Sequence, residues 1–208
     1  PPVMVSDTRM MLGLYHDYFA CSLAAYTDDW GQTWSFSEPI LDIYLALVQP
    51  SFAMKADGSL VAYMRDNGYP KHIRVANSYD KGATWESAPF MAIPNPGSSI
   101  QVLVLKNGHW LLVCNDLGLG ADRLSKGRHR LTVYLSEDEV QTWQWRRVLE
   151  DAGEGKARLD YPTLIQARDG SIHGTYSHRI STASGQRSEC IKYVHFDEAW
   201  VKEAPQTD

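Results

Sequence analysis

Side chains capable of acid–base chemistry recur along this sequence at a regular interval. Thr27-Asp-Asp-Trp-Gly-Gln-Thr-Trp34 puts two carboxylates, a glycine and two indoles into eight residues, and neighbouring carboxylates are what general acid–base catalysis draws on. The same skeleton, Ser/Thr-x-Asp-x-Gly-x-Thr-Trp, returns as Ser78-Tyr-Asp-Lys-Gly-Ala-Thr-Trp85. A third copy, Ser136-Glu-Asp-Glu-Val-Gln-Thr-Trp143, keeps everything but the glycine, which is Val140. The central aspartates, Asp29, Asp80 and Asp138, lie 51 and 58 residues apart, near the length of a propeller blade rather than of a helical repeat. One carboxylate per repeat marks three separate places, so turn chemistry accounts for the motif better than catalysis. The Asp carboxylate accepts backbone N–H groups across a hairpin turn, the glycine supplies a positive φ, and the Trp folds back on the apolar layer. Val140 does not easily take a glycine conformation, so the third turn is expected to differ in detail.

A second repeat is offset from these turns. Asp57-Gly58, Asn107-Gly108 and Asp169-Gly170 each separate two apolar runs, the strongest short signal for a hairpin. A weaker copy surrounds Asp7-Thr8. Each hairpin is followed by a third extended segment, 22–26, 72–77 or 130–135, that enters the Asp turn, and by a fourth that leaves it. The unit is thus a four-stranded antiparallel meander, at about 1–40, 48–92 and 98–150, with a last copy at 161–203 that lacks the turn motif. No long helical periodicity is present. The predicted fold class is all-β, a β-propeller of four-stranded antiparallel blades, in one domain spanning 1–208. The Gly-rich, charged segment 117–127 lengthens the third unit as a loop that would rim a site.

Composition excludes other classes. The net charge of −5 comes without a Lys/Arg run, so neither nucleic acid nor an anionic membrane is an expected partner. The longest apolar run, 40–48, is far too short to span a bilayer, and the first residues lack the basic and apolar regions of a signal peptide; location stays open. Cys21, Cys114 and Cys190 are isolated in apolar stretches and read as buried thiols. The histidines show no metal-ligand spacing, and no cofactor motif is found.

These turns are Asp boxes, and together with the Asp-Gly hairpins the sequence resembles the sialidase-like (bacterial neuraminidase repeat) family. Gln49-Pro-Ser51, Asp57 to Arg65, Pro94-Asn-Pro-Gly-Ser98 and Tyr161-Pro-Thr-Leu-Ile-Gln166 resemble blade openings of its exo-sialidases. The resemblance covers the whole chain but only the C-terminal part of a typical member. It implies six blades where about four are visible, and so a missing N-terminal segment or a homo-oligomer that completes the ring. It also implies an acidic-sugar ligand, a Tyr nucleophile and arginines that grip the sugar carboxylate.

Carried over to this sequence, the resemblance makes Tyr161, at the start of the innermost strand of the last unit, the nucleophile. Counting seven residues past each hairpin glycine reaches Arg65, Asn115 and Ser177, followed by Asp66, Asp116 and His178. Polar groups at such inner strand ends converge on a propeller axis, so Arg65, Asp66, Asn115 and Gln49 are expected to bind substrate. Arg128 is expected to join Arg65 on the substrate carboxylate, with Arg179 and Arg187 as weaker candidates. Departures from the family pattern are the missing Phe/Tyr-Arg-Ile-Pro segment with the first arginine, the missing general-acid Asp, and the lack of an evident base. Gln49 is an amide and cannot take a proton; Glu154 and Glu189 are loop carboxylates. The expected activity is hydrolysis of terminal sialic acid or a related acidic sugar. The alternatives are a non-catalytic propeller that binds a glycan or protein, and a hydrolase or lyase for a different acidic sugar such as a uronic acid.

Overall fold

The computed structural model describes residues 1–41, 46–68, 71–118, 126–181 and 186–203. They form two compact units, Pro1–Ile93 and Pro94–Asp208. In the first unit, β1 (Val3–Met4), β2 (Met10–His16), β3 (Cys21–Thr27) and β4 (Ser35–Phe36) make one antiparallel sheet in chain order. A second sheet follows the same plan with β5 (Leu47–Met54), β6 (Leu60–Asp66), β7 (His72–Ser78) and β8 (Glu86–Pro94). In the second unit, β9 (Gln101–Val104), β10 (Trp110–Cys114), β11 (Arg130–Ser136) and β12 (Trp145–Asp151) form the third sheet. The last sheet has three described strands, β13 (Ala157–Gln166), β14 (Ile172–Ser181) and β15 (Arg187–Phe196), and leads into the short helix α1 (Glu198–Lys202). Sequential meanders of this kind are propeller blades, and the fold class is the one expected: an all-β propeller of antiparallel blades. No described helix is long and apolar enough to cross a membrane.

Both families of turns have a local physical origin. At the hairpin between β5 and β6, Gly58 N donates to Lys55 O at 3.0 Å and Asp57 Oδ1 accepts from Ser59 N at 2.8 Å. Gly58 has φ 85°, the left-handed residue that closes a three-residue hairpin loop. The Asp boxes are equally regular. Asp29 Oδ1 accepts from Thr33 N at 2.8 Å and Oδ2 from Thr33 Oγ1 at 2.6 Å, while Gly31 N donates to Thr27 Oγ1 at 2.8 Å. Asp80 and Asp138 repeat these bonds with Thr84 and Thr142.

The third box corrects one expectation. Val140 takes φ 62° and its N–H donates to Ser136 Oγ at 2.9 Å, the bond that Gly31 and Gly82 make in the other boxes. The hydrogen bonds around Asp138 impose the left-handed backbone on a β-branched residue, so the turn does not change.

Packing within each unit follows the binary pattern of the strands. In the first, Met11, Ala24, Ile40, Leu47, Phe52, Leu60 and Met64 share one core, and Trp85 of the second box stacks on Phe52 with centroids 4.9 Å apart. A Cβ at Gly13 would collide with the Pro50 carbonyl, so glycine lets β2 approach β5. In the second, Leu111, Val113, Leu131, Leu135, Leu159, Leu164 and Ile172 form the core. A buried amide pins its two sheets: Gln101 Nε2 donates to Leu164 O at 2.9 Å, and Leu164 N donates to Gln101 Oε1 at 2.5 Å. Helix α1 is too short for a periodicity signal; Asp197 caps it by accepting from Trp200 N at 2.8 Å. Cys21 and Cys114 are buried, whereas Cys190 is exposed because β15 presents it on an uncovered strand.

Candidate functional site

In the first unit, the expected residues gather at the ends of β5 and β6. Gln49 sits inside β5 at a break in register between Val48 and Ser51, with φ 55° although proline follows it. Its Oε1 accepts from Arg65 Nη1 at 3.2 Å, and Arg65 lies opposite Val48. The adjacent Asp66 is buried; its Oδ1 accepts from Gly68 N at 2.6 Å and its Oδ2 lies 3.7 Å from Arg74 Nη1. Asp66 therefore shapes the chain after β6, and Gln49 orients the Arg65 fork.

The second unit holds a denser group around Tyr161. This residue is the fifth of β13 rather than its first, at a bulge between Asp160 and Thr163, with φ 55° before Pro162. Its side chain is not packed away: Tyr161 is 48% exposed. Directly before it, Asp160 is only 1% exposed, and its Oδ1 accepts from Arg128 Nη1 at 2.7 Å. Arg128 lies two residues before β11 and also donates from Nη2 to Gly97 O at 2.8 Å. Asn115 is fully buried and donates to the carbonyls of Arg130 at 2.7 Å and Leu159 at 3.1 Å. It fixes the backbone that carries Arg128 and Tyr161.

Asp116 is held by side chains instead, with Arg130 Nε at 2.8 Å, Arg146 Nη2 at 2.6 Å and the Tyr134 hydroxyl at 2.9 Å. Burial pushes its carboxyl upward, but the hydrogen bonds from Arg146 and Arg130 outweigh it and hold the pKa below the ordinary value. Arg179 lies in β14 and Arg187 opens β15, so neither is on a loop. Glu154 is exposed in the turn before β13, and Glu189 Oε1 lies 3.6 Å from Arg179 Nε. Of the segment 117–127, residues 119–125 lie outside the described residues.

Sequence reasoning missed Asp160 and Arg158. Asp160 pairs with Arg128 across 32 residues, and no local motif encodes that contact. It also missed a cluster of metal-ligand types, in which His109 Nδ1 lies 2.6 Å from Glu198 Oε2 and 3.7 Å from Glu137 Oε1. Lys202 bonds Glu137 and lies 4.0 Å from Glu198, so an ammonium already balances these carboxylates. The Asp-box acids stay structural: Asp28 is held by Arg9 at 2.6 Å, whose hydrogen bond lowers its pKa.

The BNR repeat-like domain family matches residues 1–173. A comparison with curated protein sequences finds no match. Among solved structures, the chain is similar to the intramolecular trans-sialidase of Ruminococcus gnavus in complex with oseltamivir carboxylate, with a TM-score of 0.75 and 22% identity over 95% of this chain and 42% of that one. The leech intramolecular trans-sialidase complexed with 2,7-anhydro-Neu5Ac gives a TM-score of 0.76 and 17% identity over 96% of this chain and 31% of that one. The α-L-arabinofuranosidase of Fusarium graminearum gives 0.64 and 18%, over 94% and 61%. The chain thus spans less than half the length of the two trans-sialidases. It belongs to the BNR repeat-like family and has the sialidase-like propeller fold.

Proposed function

We propose that the chain is part of a glycoside hydrolase of the sialidase-like propeller kind, with an acidic sugar, terminal sialic acid or a relative, as its substrate. The observation that carries this reading is the juxtaposition on β13: a half-exposed Tyr161 in a strained backbone position, next to a buried Asp160 that fixes the guanidinium of Arg128. Strain at a bulge of this kind accompanies functional positions. In this reading the Tyr161 oxygen attacks the anomeric carbon and loses its phenolic proton to water, while the bond to the leaving oxygen breaks and that oxygen takes a proton from water to depart as the alcohol. A phenol is suited to this step, because the sugar's own carboxylate would repel an anionic nucleophile. Arg128 serves as the fork for an acidic group of the ligand, with Asn115 holding the backbone around it; within the first unit, Arg65, held by Gln49 and next to Asp66, is a separate fork of the same chemistry.

A fluorogenic sialoside tests the proposal. Turnover is expected for the chain in its native full-length protein, and Tyr161→Phe should abolish it while calorimetric binding of sialic acid persists. Full activity in Tyr161→Phe would remove Tyr161 from the mechanism.

A second reading, a non-catalytic glycan-binding propeller, draws on a specific observation. Gln49 is an amide, and Asp66, Asp116 and Asp160 are all engaged by arginines, so none of these groups is a ready base. Binding of sialic acid without turnover in the wild type supports that reading. Turnover of a uronoside in place of a sialoside would change the sugar and leave the fold argument intact.

A further inference from the structure

Arg158 on β13 and Arg179 on β14 are cross-strand partners. Like charges directly opposite one another in a sheet repel, so an anion is needed between them. The nearest is Asp160 Oδ2, 3.4 Å from Arg158 Nε and 3.6 Å from Arg179 Nη1. Both separations exceed those of a charge-assisted hydrogen bond, because the other oxygen of Asp160 is drawn to Arg128 at 2.7 Å. Asp160 Oδ2 and the Nε–H groups of Arg158 and Arg179 are buried atoms that make no hydrogen bond among the described residues. Three guanidiniums thus share one buried carboxylate, and the other acid in reach of Arg179, Glu189, is solvent-exposed and also 3.6 Å away. The side chains of Arg158 and Arg179 are 31% and 37% exposed, which leaves part of each fork open to a ligand.

We infer that Arg158 and Arg179 form an anion subsite, separate from the Arg128 fork, that binds an oxyanion on an acidic glycan. Two planar forks facing one another across a strand pair can each give parallel N–H bonds to a carboxylate or sulfate group. The location, on the strand that carries Tyr161, makes the ligand a glycan with a second acid group beside the sugar that is processed. That assignment rests on the proposed function; the anion subsite itself rests on the arginine pair alone.

The first experiment is thermal unfolding of the whole chain in sodium sulfate and in sodium chloride at matched ionic strength. Wild type should gain a saturable rise of about 2–4 °C in sulfate over chloride. Arg158→Gln/Arg179→Gln should lose it, Arg158→Lys/Arg179→Lys should keep a reduced part, and Arg168→Gln, an exposed hairpin arginine, should keep it all. Equal responses to sulfate and chloride, or an unchanged sulfate response in the double Gln variant, would overturn the subsite.

The second experiment measures affinity for sialic acid, a disialic acid and a sulfated sialyllactose by calorimetry. The two diacids are expected to bind at least about tenfold more tightly than the monoacid, equivalent to about 1.4 kcal/mol. The double Gln variant should erase that advantage and leave the monoacid unchanged, and the stronger of the two diacids identifies the group as carboxylate or sulfate. Equal binding of all three, with the sulfate response intact, would refute the second acid group and leave the anion subsite standing. Binding of sulfate with no binding of any sugar would instead defeat the proposed function.

Discussion

Gln49 and Tyr161 occupy the same backbone position in two different sheets. Each has φ 55°, each precedes a proline, and each sits at a register break in the first strand of its sheet. A residue before proline is normally driven to extended conformations, and a left-handed non-glycine residue costs about 1–3 kcal/mol. Glycine removes that cost and adds a smaller entropic one. Gln49→Gly and Tyr161→Gly are therefore expected to leave chemical-denaturation stability unchanged or raise it by up to about 1 kcal/mol, while Tyr161→Gly eliminates any turnover. A fall in stability of more than about 1 kcal/mol in both variants would show that the side chains, not the function, maintain these positions.

Val140 gives a second test of backbone strain. Its φ of 62° in the third Asp box is the conformation that glycine holds in the other two, and a β-branched side chain is poorly suited to it. Val140→Gly should raise stability by about 1 kcal/mol, read as a shift of the denaturation midpoint without a change in slope. A loss of stability would mean that the Val140 side chain contributes packing that exceeds the strain.

The contrast between these turns and the arginine cluster explains what the sequence reveals. Asp29 bonds Thr33 and Thr27, and Asp57 bonds Ser59, all within a few residues, so turn chemistry determines them and the repeats are legible. Counting seven residues from the hairpin glycines reaches the ends of β6 and β10, where Arg65 and Asn115 lie. Arg158, Arg179 and Asp160 meet through sheet register and a bulge after Asp160, and a single inserted residue changes which side chains share a face. Local pattern does not carry that information. The same limit applies to Val140, where a hydrogen-bond network overrides residue preference.

The boxes should also shape acid stability. Hydrogen bonds from the Thr33 hydroxyl and N–H hold Asp29 at a pKa of about 2, and Thr142 does the same for Asp138, also at about 2. A carboxyl whose pKa is lower folded than unfolded stabilises the fold fully above its unfolded value, near 4, and loses that contribution as pH falls through the folded value. Stability should therefore decline between about pH 4 and pH 2. Asp29→Asn and Asp138→Asn should flatten that decline, and carboxyl NMR titration should place both midpoints near 2. Midpoints near 4 would mean that the threonine bonds do not persist in solution.

Asp160 is the one buried acid among three guanidiniums, and removing its charge tests how far the cluster depends on it. Its bond to Arg128 is almost fully enclosed, with side-chain exposures of 1% and 12%. Breaking one partner of a buried pair costs about 3–5 kcal/mol, because the other charge is left uncompensated. Asp160→Asn should lower stability by about that amount, and Arg128→Gln by less, since Asp160 retains Arg158 and Arg179 nearby. The double variant should fall short of the sum by about 0.5–3 kcal/mol. Strict additivity would show that the Arg128–Asp160 bond contributes nothing to the fold, and would leave Arg128 free to be oriented by Gly97 alone.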